Sequence, residues 1–477
     1  MTAASANSRD ALAARFGPNY RWWVLFTVMI GSMASIMAST IVNVAVPDMS
    51  RVFVLGQERA QWLSAGFMAA MTLSMLTTPW LLERYGYRRT FCGAVALLMV
   101  GGIAGGSSAW FELVLAMRVA EGLAAGVLQP IPSIIVMRAF GPGEQGRAMG
   151  IFSFGVVLAP AIGPSIGGVL VEWFGWRSIF FVVVPFCVVA LALARRYLPV
   201  GAPGGVPANP SGARLDGVGL VLIAVAVLTL LNGMVNLHGG GASVALALLA
   251  CSATAVFGFI FHQKRGARPL MQLRLFLHGP FAMGGTVAFI YGMALFGSTY
   301  LLPVFMQIAL HLPPSQAGAV LLPAGLALAA TSPLAGRWAD RARVSRLVSF
   351  GLLLLSASMV LMVFVGAATA LGWIVLWAVI GRVGLGFVLP SLNLGAMRGL
   401  PTELISQGAT TVNFLRQLGG AVGVSLVGSV LEWRLQSWPA EPVRAFHETF
   451  VLLGLITAAA ILAAWRMEPR VPVRSAL

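Results

Sequence analysis

Two opposite charges inside one apolar run are the residues of this sequence whose types and spacing could do chemistry. Arg118 and Glu121 lie in a run that extends from Trp110 to Arg138. At about 1.5 Å of helical rise per residue, they lie roughly 12 Å and 16 Å below its start, so Glu121 is near the centre of a ~30 Å hydrocarbon layer. Residues three apart share a helix face. The two side chains can therefore pair with each other or turn together towards a wet cavity.

A charge at this depth needs a reason, because a lone charged side chain at the centre of a membrane helix costs about 2.5–3.5 kcal/mol. Glu121 is the one carboxylate that the sequence places near the midplane, since Glu112, Asp216 and Glu403 fall at the starts of apolar runs. We therefore predict that Glu121 carries protons and that Arg118 competes with the proton for it. The other interpretation is a permanent ion pair that only stabilises the helix.

The composition is that of a polytopic membrane protein. Of 477 residues, 58% are hydrophobic and 10% are charged, whereas a soluble protein carries about 25% charged residues. The formal charge of +16 would suggest a nucleic-acid partner in a soluble chain. Here it reflects cytoplasmic loops that collect arginine, and we predict no nucleic-acid partner. The cysteines have no metal-ligand or redox spacing, and the histidines lie at or beyond the ends of the apolar runs, so we predict no metal and no cofactor.

Fourteen apolar runs predict an all-α protein of fourteen transmembrane helices, in which two six-helix bundles flank an inserted two-helix hairpin. The arginines of the loops place both termini in the cytoplasm of a cell inner (plasma) membrane. The predicted divisions are a cytoplasmic tail over 1–21, a bundle over 22–198, a proline-rich cytoplasmic linker over 199–216, the hairpin over 217–262, a second bundle over 279–466 and a cytoplasmic tail over 467–477.

The two bundles repeat each other in sequence. The Arg118, Val119 and Gly122 pattern recurs as Arg382, Val383 and Gly386, and the Pro130 and Arg138 spacing recurs in Pro390 and Arg398. A duplicated six-helix unit predicts a substrate path between two bundles that rock against each other.

A conformational gate is predicted from two loops and one helix. A carboxylate near a helix end with arginines beside it can lock two bundles in one state and release them in another. Small residues one turn apart form a flat face for close helix packing, for which a structural role is sufficient and sliding is a further hypothesis. The predicted gate residues are Glu83, Arg84, Arg88, Asp340, Arg341, Gly163, Pro164 and Gly167.

Polar side chains within the other apolar runs predict a substrate cavity, because such side chains rarely face lipid. Arg382 and Arg416 have no acidic neighbour on their own helix. With Arg118 they make three buried positive charges against one negative charge, so we predict a preference for anionic or neutral substrates. The predicted cavity residues are Ser35, Ser39, Asn43, Met71, Tyr291, Gln307, Arg382, Asn413, Arg416 and Gln417.

Linked motifs over nearly the whole chain resemble the major facilitator superfamily, and within it the fourteen-span drug:proton antiporters of the EmrB/QacA type. They are the segments Thr40 to Pro47, Arg118 to Gly122, Gly163 to Gly168, Trp176 to Phe181, Ala335 to Arg341 and Asn413 to Gly420. The resemblance implies alternating-access, proton-driven export of small amphipathic compounds, as in multidrug efflux and drug resistance. It also implies a periplasmic adaptor protein as a partner where the cell has two membranes.

Three departures from that family's pattern stand out. The family usually has an aspartate shortly before the segment that begins at Thr40, where this chain has Met37, Ala38 and Ser39. It usually has glutamine in place of Glu121, and Gly and Asp in place of Pro79 and Glu83. The first departure removes the usual proton site, and the second supplies a replacement carboxylate.

Other functions are alternatives to this prediction. An uncoupled facilitator or a lipid or fatty-acid flippase of the same fold would also fit the missing aspartate. A membrane enzyme would need a catalytic cluster, and the sequence has no histidine pair, paired aspartates, nucleophile elbow or phosphate loop, so we predict no enzymatic activity. A sensor or scaffold would bind its ligand without moving it.

Overall fold

The computed structural model describes residue 14 and residues 16–55, 57–203, 214–237, 242–266, 269–366 and 368–468. Most of the predicted N-terminal tail, the centre of the linker, the turn of the hairpin and the C-terminal tail from residue 469 lie outside the described residues. The side chain of Pro164 lies outside them too.

Every regular element in the described part is helical. The first half and the two helices after it are α1 (Tyr20–Val52), α2 (Gln57–Met75), α3 (Thr78–Tyr85), α4 (Tyr87–Ser107), α5 (Phe111–Leu128), α6 (Ile131–Ala139), α7 (Gln145–Phe174), α8 (Ser178–Phe181), α9 (Val183–Tyr197), α10 (Gly217–Asn236) and α11 (Ala242–Arg265). The second half comprises α12 (Gly279–Val304), α13 (Pro314–Ala339), α14 (Val344–Leu361), α15 (Leu371–Met397), α16 (Ile405–Ser437) and α17 (Pro442–Trp465).

Two of the predicted single spans are each divided into two helices at prolines. The apolar run that follows α1 bends by 57° between Met75 and Thr78, where Pro79 occupies the first turn of α3. Pro130 and Pro132 interrupt the run that begins at Phe111, so α5 ends at Leu128 and α6 begins at Ile131. A proline fits the first turn of a helix but removes an amide donor from its interior, which explains why both breaks lie at prolines.

Eleven helices in the described residues are long and apolar enough to cross a membrane, and the bent pair of α2 and α3 raises that number to twelve. The prediction of an all-helical, multi-pass membrane protein is confirmed. The count of fourteen is not confirmed. Helix α5 is not among the eleven, and it carries three charged residues, Glu112, Arg118 and Glu121, within 18 residues.

Helix ends meet at two opposite faces of the bundle. We call one of these two faces the basic face. It contains the start of α1 and the loops before α4, before α7 and after α13. Arg21 pairs with Glu144 at 2.5 Å there, and Asp340 contacts the start of α7. The opposite face holds the end of α1, where Phe53 packs against Trp176, and the start of α5.

Glycines bring α5 into backbone contact with α2. A Cβ atom on Gly122 would lie 2.3 Å from the carbonyl oxygen of Phe67, and one on Gly126 would lie 2.1 Å from that of Met71. The second half repeats this packing, because a Cβ on Gly386 of α15 would lie 2.8 Å from the Cβ of Thr331 on α13. Glycine at these positions therefore sets the depth at which α5 presents Arg118 and Glu121.

Replacing Gly126 with valine is expected to destabilise the protein by about 2–4 kcal/mol, because the new side chain would overlap a backbone oxygen that cannot move aside. The matched control is Gly93→Val on α4, where no atom lies within 4 Å of an added Cβ. Thermal unfolding in detergent should show a large decrease in Tm for Gly126→Val and little change for the control. Equal Tm values for the two variants would contradict the packing argument.

The helix pair α10 and α11 is joined at the basic-face end by Asp216. Its carboxylate accepts hydrogen bonds from the Gly219 amide and from the Gln263 side chain, both at 2.8 Å, and contacts His262 Nε2 at 2.8 Å. Burial acts to raise the pKa of Asp216, but these hydrogen bonds outweigh it and lower the pKa below the usual value. Gln263 also accepts from the Met271 amide at 3.2 Å, so the cluster ties α11 to the segment that leads into the second half.

Candidate functional site

Arg118 and Glu121 form a direct ion pair in the interior of the first half. Arg118 Nη1 donates to Glu121 Oε2 at 2.6 Å, and both residues are 1% exposed. Of the two arrangements left open by the sequence, mutual pairing is the one observed. The guanidinium also donates to the carbonyl oxygens of Ala38 at 3.1 Å and Leu63 at 3.3 Å, so it links α5 to both α1 and α2.

The surroundings of this pair are apolar and closely packed. The Phe67 ring lies 4.2 Å from the Arg118 guanidinium carbon, a cation–π distance. Gly101 and Gly102 of α4 make room for the acid, because a Cβ on Gly101 would lie 2.6 Å from Glu121 Cγ. A charge in such an environment is stable only when it is paired and hydrogen-bonded. The charge of each side chain therefore depends on the charge of the other.

The contact with Ala38 bears on the missing aspartate. Ala38 occupies the segment of α1 where the resembling family usually has an acid, and its carbonyl oxygen accepts directly from Arg118. Glu121 is bonded to this same arginine. The only acid bonded to Arg118 among the described residues is thus supplied by α5 and not by α1.

Two arginines of the second half lie against uncharged partners. Arg382 of α15 and Arg416 of α16 are half-buried. Arg382 Nη2 donates to Thr299 Oγ1 at 3.1 Å, and Arg416 Nη2 donates to Asn413 Oδ1 at 3.2 Å. Within the described part of the chain, neither arginine has a carboxylate within salt-bridge distance.

The other predicted cavity residues do not form one cluster. The hydroxyls of Ser35 and Ser39 are buried and donate to carbonyl oxygens of their own helix. Asn43 is exposed and accepts from Ser64 of α2 at 2.7 Å. Three predicted cavity residues remain. Met71 is buried and Gln307 is exposed. Gln417 is buried, and its Nε2 lies 3.7 Å from Met68 Sδ of the first half.

Asp340 joins the two halves at the basic face. Its carboxylate accepts hydrogen bonds from the backbone amides of Gly146 at 2.6 Å and Arg147 at 2.8 Å, in the first turn of α7. The first amides of a helix lack partners within that helix and carry partial positive charge, so a carboxylate from the other half satisfies them and is itself stabilised. The predicted gate residue Asp340 thus bridges the halves through a helix terminus.

The other predicted gate residues have different surroundings. Arg88 Nε donates to the Leu198 carbonyl oxygen at 2.6 Å, at the end of the first half, while Glu83, Arg84 and Arg341 are exposed on the basic face. Gly163 and Gly167 pack against α1, where a Cβ on Gly167 would lie 2.6 Å from Ile41 Cγ1. This contact lies within one half.

Sequence reasoning missed the glycines that touch between halves. A Cβ on Gly146 would lie 2.4 Å from the Gly336 carbonyl oxygen, and one on Gly336 would lie 2.7 Å from Gly150 Cα. Arg138, noted only for its repeat, donates to the Thr402 carbonyl oxygen at 3.2 Å across the same boundary. The signal that could have found them is the pair Gly146 and Gly150 at the start of α7, one helical turn apart.

Comparisons with known proteins agree with this architecture. The chain is 29% identical over 420 residues to the multidrug resistance protein B homolog of Mycobacterium tuberculosis, covering 86% of this chain and 77% of that protein. It is 28% identical over 416 residues to the tetracenomycin C resistance and export protein of Streptomyces glaucescens, covering 87% and 76%. Among solved structures, the human organic anion transporter MFSD10 (TETRAN) superposes with a TM-score of 0.69 at 16% identity, covering 93% of this chain and 99% of that one.

The family model described as Major Facilitator Superfamily matches residues 28–424. The match includes the buried pair of α5, the interface of α7 with α13, and both Arg382 and Arg416 of the second half. It extends over most of both halves. The chain therefore belongs to the Major Facilitator Superfamily, a family of membrane transporters.

Proposed function

We propose that this protein is a secondary active transporter that exports small amphipathic compounds by alternating access, driven by protons that enter through Glu121. The observation that carries the proposal is the buried pair of Arg118 and Glu121, in which Arg118 also donates to backbone oxygens of α1 and α2. The export function of the tetracenomycin C relative and the multidrug resistance relatives supports it.

The chemistry of coupling follows from competition for one carboxylate. In the paired state the Arg118 guanidinium neutralises Glu121, and the three hydrogen bonds of Arg118 hold α5, α1 and α2 together. A proton on Glu121 replaces the guanidinium as the neutralising charge and frees Arg118 to move. Because the bonds of Arg118 reach two other helices, protonation would alter their packing and bias the two halves towards the other state.

We propose that the described state is closed at the basic face. Asp340 with the first turn of α7, Arg138 with Thr402, and the contacts of Gly146 and Gly336 all join the two halves there. Towards the opposite face α7 packs instead on α1 of its own half. The substrate path would then open to the opposite face, between the pair in the first half and the half-buried Arg382 and Arg416 of the second half.

The finer topology belongs to the same proposal. With the pairs α2 and α3, α5 and α6, and α8 and α9 each counted as one span, the seventeen helices would give fourteen spans, in which α10 and α11 form the inserted hairpin. The basic face would be cytoplasmic in a plasma (inner) membrane, because loops rich in arginine stay inside. An adaptor protein in the periplasm remains a proposed partner.

The test is a substrate panel in proteoliposomes, with and without an imposed proton gradient. We expect the gradient to accelerate export of amphipathic compounds at least tenfold, with hydrophobic acids and neutral compounds competing better than organic cations. Equal flux with and without the gradient would instead indicate an uncoupled facilitator or a flippase. Saturable binding without any flux would indicate a sensor, and stronger competition by organic cations would contradict the predicted charge preference.

A further inference from the structure

We propose that the helix pair α10 and α11 moves with the second half as one body, and that α10 slides over the basic-face end of α2 and seals the gap between the halves against lipid. This inference rests on the alternating-access motion of the proposed function and adds a role for the two helices that follow the first half. It is carried by the different contacts that fix the pair to one half and pack it against the other.

Helix α10 lies across the boundary between the halves, because it contacts α2 of the first half and α16 of the second. Helices α2 and α16 also meet directly, where Gln417 Nε2 lies 3.7 Å from Met68 Sδ. When the halves rock, α2 and α16 must move relative to each other. Helix α10 can follow one of them, and its contact with the other must then slide or break.

Two hydrogen bonds to backbone groups fix the pair to the second half and to the segment that leads into it. Ser429 of α16 donates its hydroxyl to the Met234 carbonyl oxygen, near the end of α10, at 3.3 Å. At the basic-face end, the Met271 amide donates to the Gln263 side chain of α11 at 3.2 Å, and both of these residues are buried. A buried polar group that loses its partner is costly, so these bonds at opposite ends hold the pair in register.

The segment that follows α11 is packed onto the second half within a few residues. A helical turn over Leu273–Leu277 precedes α12, and the Phe276 ring within it meets the Phe281 ring of α12 edge-on, with 5.6 Å between centroids. A Cβ on Gly285 of α12 would lie 3.6 Å from Phe276 Cε1. A short connection that packs in this way is a poor hinge, so α11 should follow α12.

The contact with α2 has a different character. The basic-face end of α2 contributes Met75 and Leu76 to a buried apolar cluster that also contains Ile223 and Val227 of α10 and Phe414 of α16. At about 1.5 Å per residue, the last three lie roughly 9, 15 and 14 Å from the basic-face ends of their helices. Apolar packing is not directional, and methionine adapts to a changed neighbour. Such a surface tolerates sliding better than a hydrogen-bonded one.

This cluster lies where a gap would form. Opening at the basic face would separate the ends of α2 and α16, which belong to different halves, and lipid chains of that leaflet could then enter between them. Helix α10 covers both ends, so the gap stays closed as long as α10 remains on α16 and slides on α2. For an exporter of amphipathic compounds, such a seal prevents the substrate from leaking back along the seam.

The experiment measures distances and not transport, so it remains informative if proton coupling fails. Nitroxide labels in the cysteine-free, full-length protein in nanodiscs would occupy, in pairs, the exposed basic-face positions Lys264 of α11, Arg89 of the first half and Arg346 of the second. Gly336→Val would force the basic face apart, since a Cβ there would lie 2.3 Å from the Gly146 carbonyl oxygen. We expect both distances from Arg89 to lengthen by about 5 Å or more, and the distance between Lys264 and Arg346 to stay unchanged.

A second variant tests the attachment itself. Gln263→Leu removes the acceptor of the Met271 amide and should broaden the distance distribution between Lys264 and the second half. The matched control is Asn232→Leu on α10, because this exposed residue donates to the Leu228 carbonyl oxygen of its own helix at 2.8 Å. Elution volume and Tm would show that each variant is folded. Equal distributions in the two variants would contradict the role of this bond.

The seal is tested with a bimane label on Leu73 of α2, which packs against the same apolar cluster. In nanodiscs that contain a doxyl-labelled phosphatidylcholine, this label should remain unquenched in the parent and in Gly336→Val. A label on Phe257, which is 72% exposed on α11, is the control and should be quenched in both. Quenching of the Leu73 label in Gly336→Val to the level of the control would overturn the seal.

Three distance results would overturn the assignment of the pair to the second half. A constant distance from Lys264 to Arg89, with a longer one to Arg346, would place the pair with the first half. Changes in all three distances would make it an independent body. Constant distances throughout, in Gly336→Val and in Asp340→Asn, would show that the halves do not rock and that nothing slides. Flux without dependence on a proton gradient would refute the proposed coupling and leave this assignment intact.

Discussion

Glu121→Gln is expected to abolish proton-driven export, with a decrease of at least ~100-fold in gradient-dependent flux. Glutamine keeps the size of the side chain and one oxygen acceptor, but it cannot take up and release a proton between pH 5 and 9. Substrate binding should persist, because the substitution keeps the size of the side chain and removes only its ability to carry a proton. The measurement is flux in proteoliposomes with an imposed gradient, beside equilibrium binding of the same compound.

The same substitution is expected to destabilise the fold, because it leaves the Arg118 charge buried without its partner. Removing one member of a buried pair costs about 3–5 kcal/mol, whereas replacing both with neutral groups of similar size is often neutral or stabilising. Glu121→Gln should therefore lower the Tm, and the double variant Arg118→Met with Glu121→Gln should recover most of it. Flux should stay abolished in the double variant.

This comparison separates the two interpretations of the pair. A permanent structural ion pair predicts that transport recovers together with the Tm in the double variant. A proton carrier predicts recovery of the Tm alone. Glu112→Gln is the matched control, since this exposed acid begins the same helix and pairs with Arg59 at 2.8 Å on the opposite face. It should change neither gradient-driven flux nor Tm.

Asp340→Asn is expected to shift the protein towards a state that is open at the basic face. The carboxylate accepts from the amides of Gly146 and Arg147 in the first turn of α7, and removal of its charge weakens both hydrogen bonds and the attraction to the helix terminus. The expected loss is about 1–2 kcal/mol, which corresponds to a change of roughly tenfold in the population ratio of the two states.

Spin labels on Arg89 and Arg346 would report this shift. These exposed residues belong to the basic-face ends of α4 and α14, one in each half. In a cysteine-free background, the distance distribution of Asp340→Asn should gain a longer component that is minor in the parent. Asp48→Asn, which removes an acid paired with Arg51 on the opposite face, is the control. An unchanged distribution in Asp340→Asn would show that this contact does not hold the face closed.

The helical, multi-pass architecture could be predicted because hydrocarbon requires long apolar runs and each run is visible in the sequence. The repeat was also informative, since Gly122 and Gly386 perform the same packing in the two halves. The breaks near Pro79 and Pro130 were not predicted. A proline is compatible both with a kinked continuous helix and with a new first turn, and only the packing of neighbouring helices decides between them.

The candidate site was predictable in part. Residues three apart on a helix share a face, so the pairing of Arg118 with Glu121 could be anticipated as one of two arrangements. Its bonds to Ala38 and Leu63 could not be anticipated, because they join helices that are far apart in sequence. The partner of Asp340 was hidden for the same reason. A backbone amide has no signature in the residue type, and Gly146 is 194 positions from that acid.

Arg118 is bonded to a single acid in the described part of the chain, so the proposed exchange moves one proton per cycle, and this stoichiometry has a consequence for bioenergetics. Export of a monoanion in exchange for one proton moves two elementary charges in the same electrical sense. A membrane potential of 100 mV would then contribute roughly 4.6 kcal/mol per cycle. A neutral substrate would move one charge, and a monovalent cation none. Currents recorded on solid-supported membranes should therefore scale with substrate valence, and cells with a collapsed pH difference but an intact potential would still be able to expel organic acids.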